Sequence, residues 1–500
     1  MSLNDLIFLL PELILLLGAA VLFILDVLGR RPRDPVTLER KPKPWLPYVA
    51  LGGLGLALLG LIPAGAQKVQ VAAMLAADPF ALFFKALAII GVALVILAAI
   101  PFMRTRTPYR GEFYALLLVA TAAICLAVSA TNFVMLYLAM EFLSITSYIL
   151  ASFFREDRKS GEAAIKYFLY GATASAVMLY GMSLLYGATG TTDFAATAQA
   201  LGRLDSADRL WLGVPALLLL LVGFGFKASL VPFHQWAPDT YEGAPTPVTA
   251  FLSTASKATG FAILMRVLLV VLGPFQPQWT TLLAVIAILT MTLGNLTAIR
   301  QSNIKRMLAY SSIAQAGYIL IGVAAAATAA SGVATTPFAG INGVLIYLFA
   351  YLVTNVGAFA AVIVVENRSG KVEIKDYAGM VRRAPWLATL LFIFLLSLAG
   401  IPPTAGFVGK LFVFGAAVRA DMIPLAVIGA LNAVVSAFYY LNVVRVMFFV
   451  PAEPDAEPIT VEWPLQAAVL LTGALTLLIG LAPEPLIRWA TQSVQLLAWR

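Results

Sequence analysis

Apolar residues run in blocks of bilayer-spanning length along the whole chain, parted by short polar stretches. A hydrocarbon core about 30 Å thick takes about 20 helical residues. Blocks of that size lie near 3–28, 46–65, 79–103, 113–130, 132–154, 163–188 and 211–232. Seven more lie near 246–271, 279–299, 307–329, 338–365, 385–415, 422–450 and 463–488. The pattern predicts an all-α polytopic membrane protein of about fourteen spans, numbered here in chain order. Only Ala130-Thr131-Asn132 parts spans 4 and 5. The block Leu3–Leu28 has no basic residue before it and exceeds the length of a signal h-region, so it reads as a first membrane helix.

Basic residues test this count. Twenty of the 33 lysines and arginines fall in the alternate loops after spans 1, 3, 5, 9 and 11, against six on the opposite side. A miscounted span would scramble that asymmetry, so both termini are expected outside. The stretch 30–47, with five prolines, reads as a stiff linker on the basic side. Residues 189–209 form the longest loop expected on the other side.

Composition narrows the function. Of 500 residues, 61% are hydrophobic and 12% charged, about half the charged share of a soluble domain. The net charge of +8 is scattered between apolar runs, so it marks topology rather than nucleic acid. One cysteine, Cys125, and one histidine, His234, cannot ligate an iron–sulfur cluster, form an internal disulfide or furnish an ordinary zinc site. No metal or cofactor site is expected. Gly223-Phe224-Gly225-Phe226-Lys227-Ala228 matches a dinucleotide fingerprint in letters only, because no strand precedes it.

Four charges stand out against the apolar blocks. Glu141 is the tenth of the 23 residues from Asn132 to Phe154, near the bilayer middle, with Ser144, Thr146 and Ser147 to hydrate it. Lys227 precedes Ser229 and Pro232, where proline breaks the helix. Lys257 lies halfway along span 8 among Ser253, Thr254, Ser256 and Thr259. Lys410 follows Gly400-Ile401-Pro402-Pro403-Thr404-Ala405-Gly406, a second interruption. A charge at the bilayer centre costs roughly 2.5–3.5 kcal/mol on insertion scales, so four imply about 10 kcal/mol unless protein or water surrounds them. Buried Lys and Glu, whose proton affinity surroundings can shift, suit proton or ion transfer. Two proline-broken helices in opposite halves point to an inverted-repeat transporter. His234, beside the first break, is a further possible relay. Glu12, Asp26 and Lys85 read as interfacial, and Arg266 as snorkelling.

Long motifs surround these positions. They are Leu10-Pro11-Glu12-Leu13, Val231-Pro232-Phe233-His234-Gln235-Trp236-Ala237-Pro238-Asp239, Tyr241-Glu242-Gly243-Ala244-Pro245-Thr246-Pro247-Val248 and Ile304-Lys305-Arg306-Met307-Leu308-Ala309-Tyr310-Ser311-Ser312. With Gly400 to Lys410 they resemble, over essentially the whole chain, subunit N of bacterial respiratory complex I, the complex I subunit 2 family of antiporter-like proteins.

The resemblance implies an inverted repeat of helices 4–8 (residues 113–271) and 9–13 (279–450), with helices 7 and 12 broken, preceded by residues 1–112 and followed by 451–500. It implies a proton path through Glu141, Lys227, Lys257 and Lys410. Glu141 and Lys227 are expected to form an ion pair. Related pump subunits use histidines between the lysines of helices 8 and 12. Here water with Tyr347, Tyr351, Thr354 or Asn355 is expected instead. The implied setting is the bacterial inner membrane, among other antiporter-like and small core membrane subunits. NADH, FMN, iron–sulfur clusters and quinone would belong to partner subunits, none to this chain. The alternatives are a subunit of a multisubunit Na⁺/H⁺ antiporter and a non-transporting scaffold.

Overall fold

The computed structural model describes residues 3–28, 43–63, 69–71, 74–326, 338–452 and 458–494. Residues 30–42 of the expected linker lie outside them. Twelve helices are long and apolar enough to cross a bilayer. Two shorter apolar helices, Leu46–Leu59 and Pro385–Ala399, occupy the places of spans 2 and 12. Spans 8, 10 and 11 (Thr246–Val271, Ile304–Ala326 and Gly340–Ser369) are at least 89% buried and form the centre of the bundle. Spans 6, 9 and 13 (Arg158–Thr189, Gly273–Ala298 and Ile423–Phe449) are each 39% buried and lie at its edge.

The weak boundary between spans 4 and 5 is real. Span 4 ends at Ser129, and Asn132 starts span 5 (Phe133–Ala151) by accepting from the Val134 amide at 2.8 Å. The expected outer loop folds in part as the helix Phe194–Arg203, capped by Asp193 on the Ala196 amide at 2.9 Å.

The two halves of the chain repeat local geometry at the same ends of their helices. Asn132 bridges Asp193, and Asn303 bridges Glu373. In the first bridge Phe133 N donates to Thr192 O and Phe194 N to Thr131 O. In the second, Ile304 N donates to Val372 O and Ile374 N to Ser302 O. Spans 6 and 11 both end on a left-handed glycine, Gly190 and Gly370, three residues before the bridge. These matches set spans 5 and 6 against spans 10 and 11 in one register.

The breaks obey the same register. In the first, Leu230 N reaches Gly225 O and Ser229 N reaches Phe226 O. In the second, Ile401 N reaches Leu396 O and Gly400 N reaches Ser397 O. Ser229 and Gly400 both take left-handed backbone, at φ 58° and 88°. Span 7 resumes as Trp236–Gly243 and span 12 as Ala405–Arg419. Polar groups freed in lipid need partners. Thr290 Oγ1 accepts from Val231 N at 3.1 Å, and Ser397 Oγ accepts from Gly406 N at 2.9 Å. Trp236 Nε1 donates to Phe226 O at 2.9 Å and so clamps the first break from within.

Three expectations are overturned. Glu12 and Lys85 are not interfacial; they form a buried ion pair at 2.6 Å. Asp26 is buried as well. Arg266 does not snorkel, because Asp78 grips both its terminal nitrogens at 2.8 and 2.9 Å inside the protein. Each partner lies on another helix or loop, so no window along the chain could reveal it.

Candidate functional site

Lys227, Lys257 and Lys410 are all buried, at 2%, 1% and 4% exposure. Glu141 is only partly covered, on the outer flank of span 5.

The expected Glu141–Lys227 ion pair is absent. Glu141 Oε1 accepts from the Ser175 hydroxyl of span 6. Lys227 Nζ has no hydrogen-bond partner among the described residues. The two charges remain within electrostatic reach of each other. Thr146 and Ser147 do not serve Glu141; they bond the carbonyls of Phe142 and Leu143, four residues back.

Lys257 follows a π-helical turn, Leu252–Ser256, which shifts its side chain relative to a regular helix. The hydroxyls near it in sequence also turn to their own helix: Ser253 and Thr254 bond Ala250 O, and Thr259 bonds Ala255 O. The partner of Lys257 comes from span 10. Its Nζ donates to Ser312 O at 2.9 Å and to the Ser312 hydroxyl.

Lys410 donates to Leu398 O at 3.0 Å and Ala399 O at 2.8 Å, the carbonyls released by the second break. It also lies 4.5 Å from the Tyr318 ring centre. Gln315 of span 10 meets this end. Its Nε2 donates to the same Leu398 carbonyl at 2.8 Å and to Tyr440 at 3.2 Å. Its Oε1 accepts from Tyr347. Tyr440 in turn bonds Ser311, the neighbour of Ser312. Span 10 therefore carries two buried polar groups side by side: Ser312 on Lys257, and the Ser311–Tyr440–Gln315 cluster that reaches the carbonyl held by Lys410.

Of the other expected relays, Tyr347 joins this cluster. Thr354 bonds Ser397 at 3.0 Å and so braces the second break. Asn355 bonds Ser253 at 2.8 Å. Tyr351 is buried with no hydroxyl partner among the described residues. His234 lies buried beside the first break, its Nδ1 likewise without a partner. Ser175, Ser312, Gln315 and Tyr440 were not anticipated. A lone glutamine in an apolar span was a usable signal; the serines and the tyrosine blend into membrane composition.

A cleft of about 1300 Å³ opens on the basic face, lined among others by Arg106, Arg155, Lys159, Glu242, Lys305 and Glu366. Close by, Asp239 pairs with Lys166 at 2.7 Å and Arg306 at 2.6 Å, binding span 6, the second half of span 7 and span 10. Among the described residues no three His, Cys, Asp or Glu side chains gather as metal ligands.

Two broken helices and a set of buried amines are the features of an antiporter-type membrane protein. The NADH:quinone oxidoreductase/Mrp antiporter transmembrane family matches residues 130–436. NADH-quinone oxidoreductase subunit N of Trichlorobacter lovleyi is 40% identical over 97% of this chain and 96% of its own. A chain of respiratory complex I from Thermus thermophilus, solved with bound aureothin, aligns with TM-score 0.77 and 33% identity, over 96% of this chain and 99% of that one. A chain of the Mrp complex from Dietzia shares the fold, with TM-score 0.82 at 21% identity, over 99% and 98% of the two chains. The chain belongs to the NADH:quinone oxidoreductase/Mrp antiporter family and, within it, to the NADH-quinone oxidoreductase subunit N group.

Proposed function

We propose that this chain is a proton-translocating membrane subunit of NADH:quinone oxidoreductase. Electron transfer from NADH to quinone takes place in other subunits and drives protons along Glu141, Lys227, Lys257 and Lys410. The observation that carries this reading is the pair of buried polar groups along span 10, Ser312 on Lys257 and Ser311 with Tyr440 and Gln315 at the carbonyl shared with Lys410. Such groups are costly in an apolar bundle and hold no charge pair that would repay them structurally.

In this scheme Glu141 acts on Lys227 through the field rather than by contact. Protonating Glu141, or drawing it away, removes that field and lets Lys227 release its proton. Buried polar atoms at Lys227, Ser229 and His234, without a partner among the described residues, need internal water, which bridges the first break to Lys257. Internal water then carries the proton past Ser312 to the Ser311–Tyr440–Gln315 cluster and Lys410, and it leaves on the face opposite the basic loops. The chain works beside other membrane subunits of the complex in the bacterial inner membrane, with both termini on the outer side. NADH, FMN, iron–sulfur clusters and quinone belong to those partners.

The test is Lys227→Ala in the whole complex, reconstituted in vesicles. Protons moved per NADH oxidised should fall while the complex still assembles and reduces an artificial acceptor. Undiminished pumping in the assembled variant would sink the scheme, as would sodium-dependent proton exchange by the purified chain.

A further inference from the structure

The register of the two repeats assigns a partner role that the sequence conceals. Asn132 and Asn303 are equivalent: each caps its helix by accepting from the amide two residues on, at 2.8 and 2.9 Å, and each bridges the end of the next span. Nine residues beyond Asn132 stands Glu141. Nine residues beyond Asn303 stands Ser312. Glu141 is the carboxylate within reach of Lys227, and Ser312 is the group that touches Lys257.

We infer that Ser312, which stands at the second repeat's position of Glu141, is a positioning residue that holds Lys257 of the first repeat in either protonation state. This deepens, and rests on, the proposed proton path.

The chemistry differs from that of a carboxylate in one respect. A carboxylate only accepts hydrogen bonds, so it satisfies an ammonium and leaves a neutral amine facing two acceptors. A hydroxyl both accepts and donates. While Lys257 is charged, the Ser312 hydroxyl and carbonyl accept two of its three N–H bonds. When Nζ passes a proton to internal water, the lone pair left on nitrogen can accept a hydrogen bond from the Ser312 hydroxyl, turned by rotation about Cβ–Oγ. Ser312 gains and loses no proton. The amine keeps its place while its charge changes, and no counter-ion traps it.

Geometry supports the role independently. Ser312 is fully buried. The titratable groups near this pair are His234 from the first break, Tyr241 from the second half of span 7 and Tyr351 from span 11. None is a carboxylate. The hydroxyls of Ser253, Thr254 and Thr259 on the lysine's own helix are already spent on backbone carbonyls.

The test compares Ser312→Ala, Ser312→Thr and Lys257→Met in the assembled complex, with NADH oxidation and proton uptake followed in the same vesicles. A hydrogen bond to a charged group is worth enough that its loss should slow coupled proton transfer roughly tenfold. Ser312→Ala should show that loss, and Ser312→Thr, which restores the hydroxyl, should recover most of it. If Ser312→Ala reduces assembly, Ser312→Cys, of similar volume and weak hydrogen bonding, carries the same expectation. Normal pumping in Ser312→Ala or Ser312→Cys, with Lys257→Met impaired, overturns the assignment of Ser312 alone. Equal losses in Ala and Thr variants do so too, since they indict volume rather than the hydroxyl. Normal pumping in Lys257→Met overturns the proton path on which the assignment rests.

Discussion

Gly400 shows how closely a lysine can be seated. Its φ of +88° is left-handed, and a Cβ there would come within 2.6 Å of Lys410 Cδ. A side chain at such a φ costs about 1–2 kcal/mol before any clash. Gly400→Ala should therefore lower the melting temperature of the complex and cut proton pumping by displacing Lys410, measured by thermal unfolding and vesicle acidification. Unchanged values in both would show that the lysine can move freely. The Glu12–Lys85 pair makes a second residue-scale case. Removing one partner of a buried pair costs about 3–5 kcal/mol, whereas replacing both by apolar groups is often neutral. Glu12→Leu should destabilise the protein, and adding Lys85→Leu should restore much of the loss in thermal unfolding. Mid-span charges such as Glu141 and Lys257 were legible because nothing nearby in sequence accounts for them. Glu12, Lys85 and Arg266 were not, since a charge near a span's end reads equally well as snorkelling, and only their partners on other segments decide between the two.

At the scale of elements, prolines announced both breaks. Pro232, Pro402 and Pro403 each lack an amide hydrogen, and the helices stop just before them, whereas the single Pro101 and Pro215 lie inside continuous helices. What the prolines could not convey is which groups the freed backbone meets. That follows from packing: span 9 supplies Thr290, span 12 itself supplies Ser397, and Lys410 takes the two carbonyls left over. The polar cluster on span 10 was missed for the same reason. Tyr347 was named on residue type alone, whereas Gln315 earns its place by touching Tyr347, Tyr440 and Leu398 together. Gln315→Leu strips three hydrogen bonds from buried partners, each worth about 0.5–1.5 kcal/mol net. The complex carrying it should still assemble and reduce an artificial acceptor, yet move fewer protons per NADH. Full coupling in that variant would remove Gln315 from the path.

For the whole molecule, topology is the firmest reading that needs no contact information. Alternating loops carry the basic residues, so Lys371 and Arg203 should lie on opposite faces; both are exposed. The lone Cys125 is free and buried, leaving a quiet background for thiol labelling. Lys371→Cys should react with an impermeant maleimide only from the cytoplasmic side, and Arg203→Cys only from outside. Labelling of both from one side would refute the fourteen-span arrangement. The apolar blocks, the basic-loop bias and the prolines by themselves determined a multi-span helical bundle, its expected orientation and the positions of the two interruptions. Those signals are local, because hydrocarbon thickness, membrane charge and a missing amide hydrogen each act on a short stretch of chain. Only the folded bundle decided that Lys85 and Arg266 are paired inside, that Lys227 stands apart from Glu141, that Ser312 holds Lys257, and that Gln315 shares a carbonyl with Lys410. Those facts depend on which faces of distant helices meet, and helix packing sets that in three dimensions.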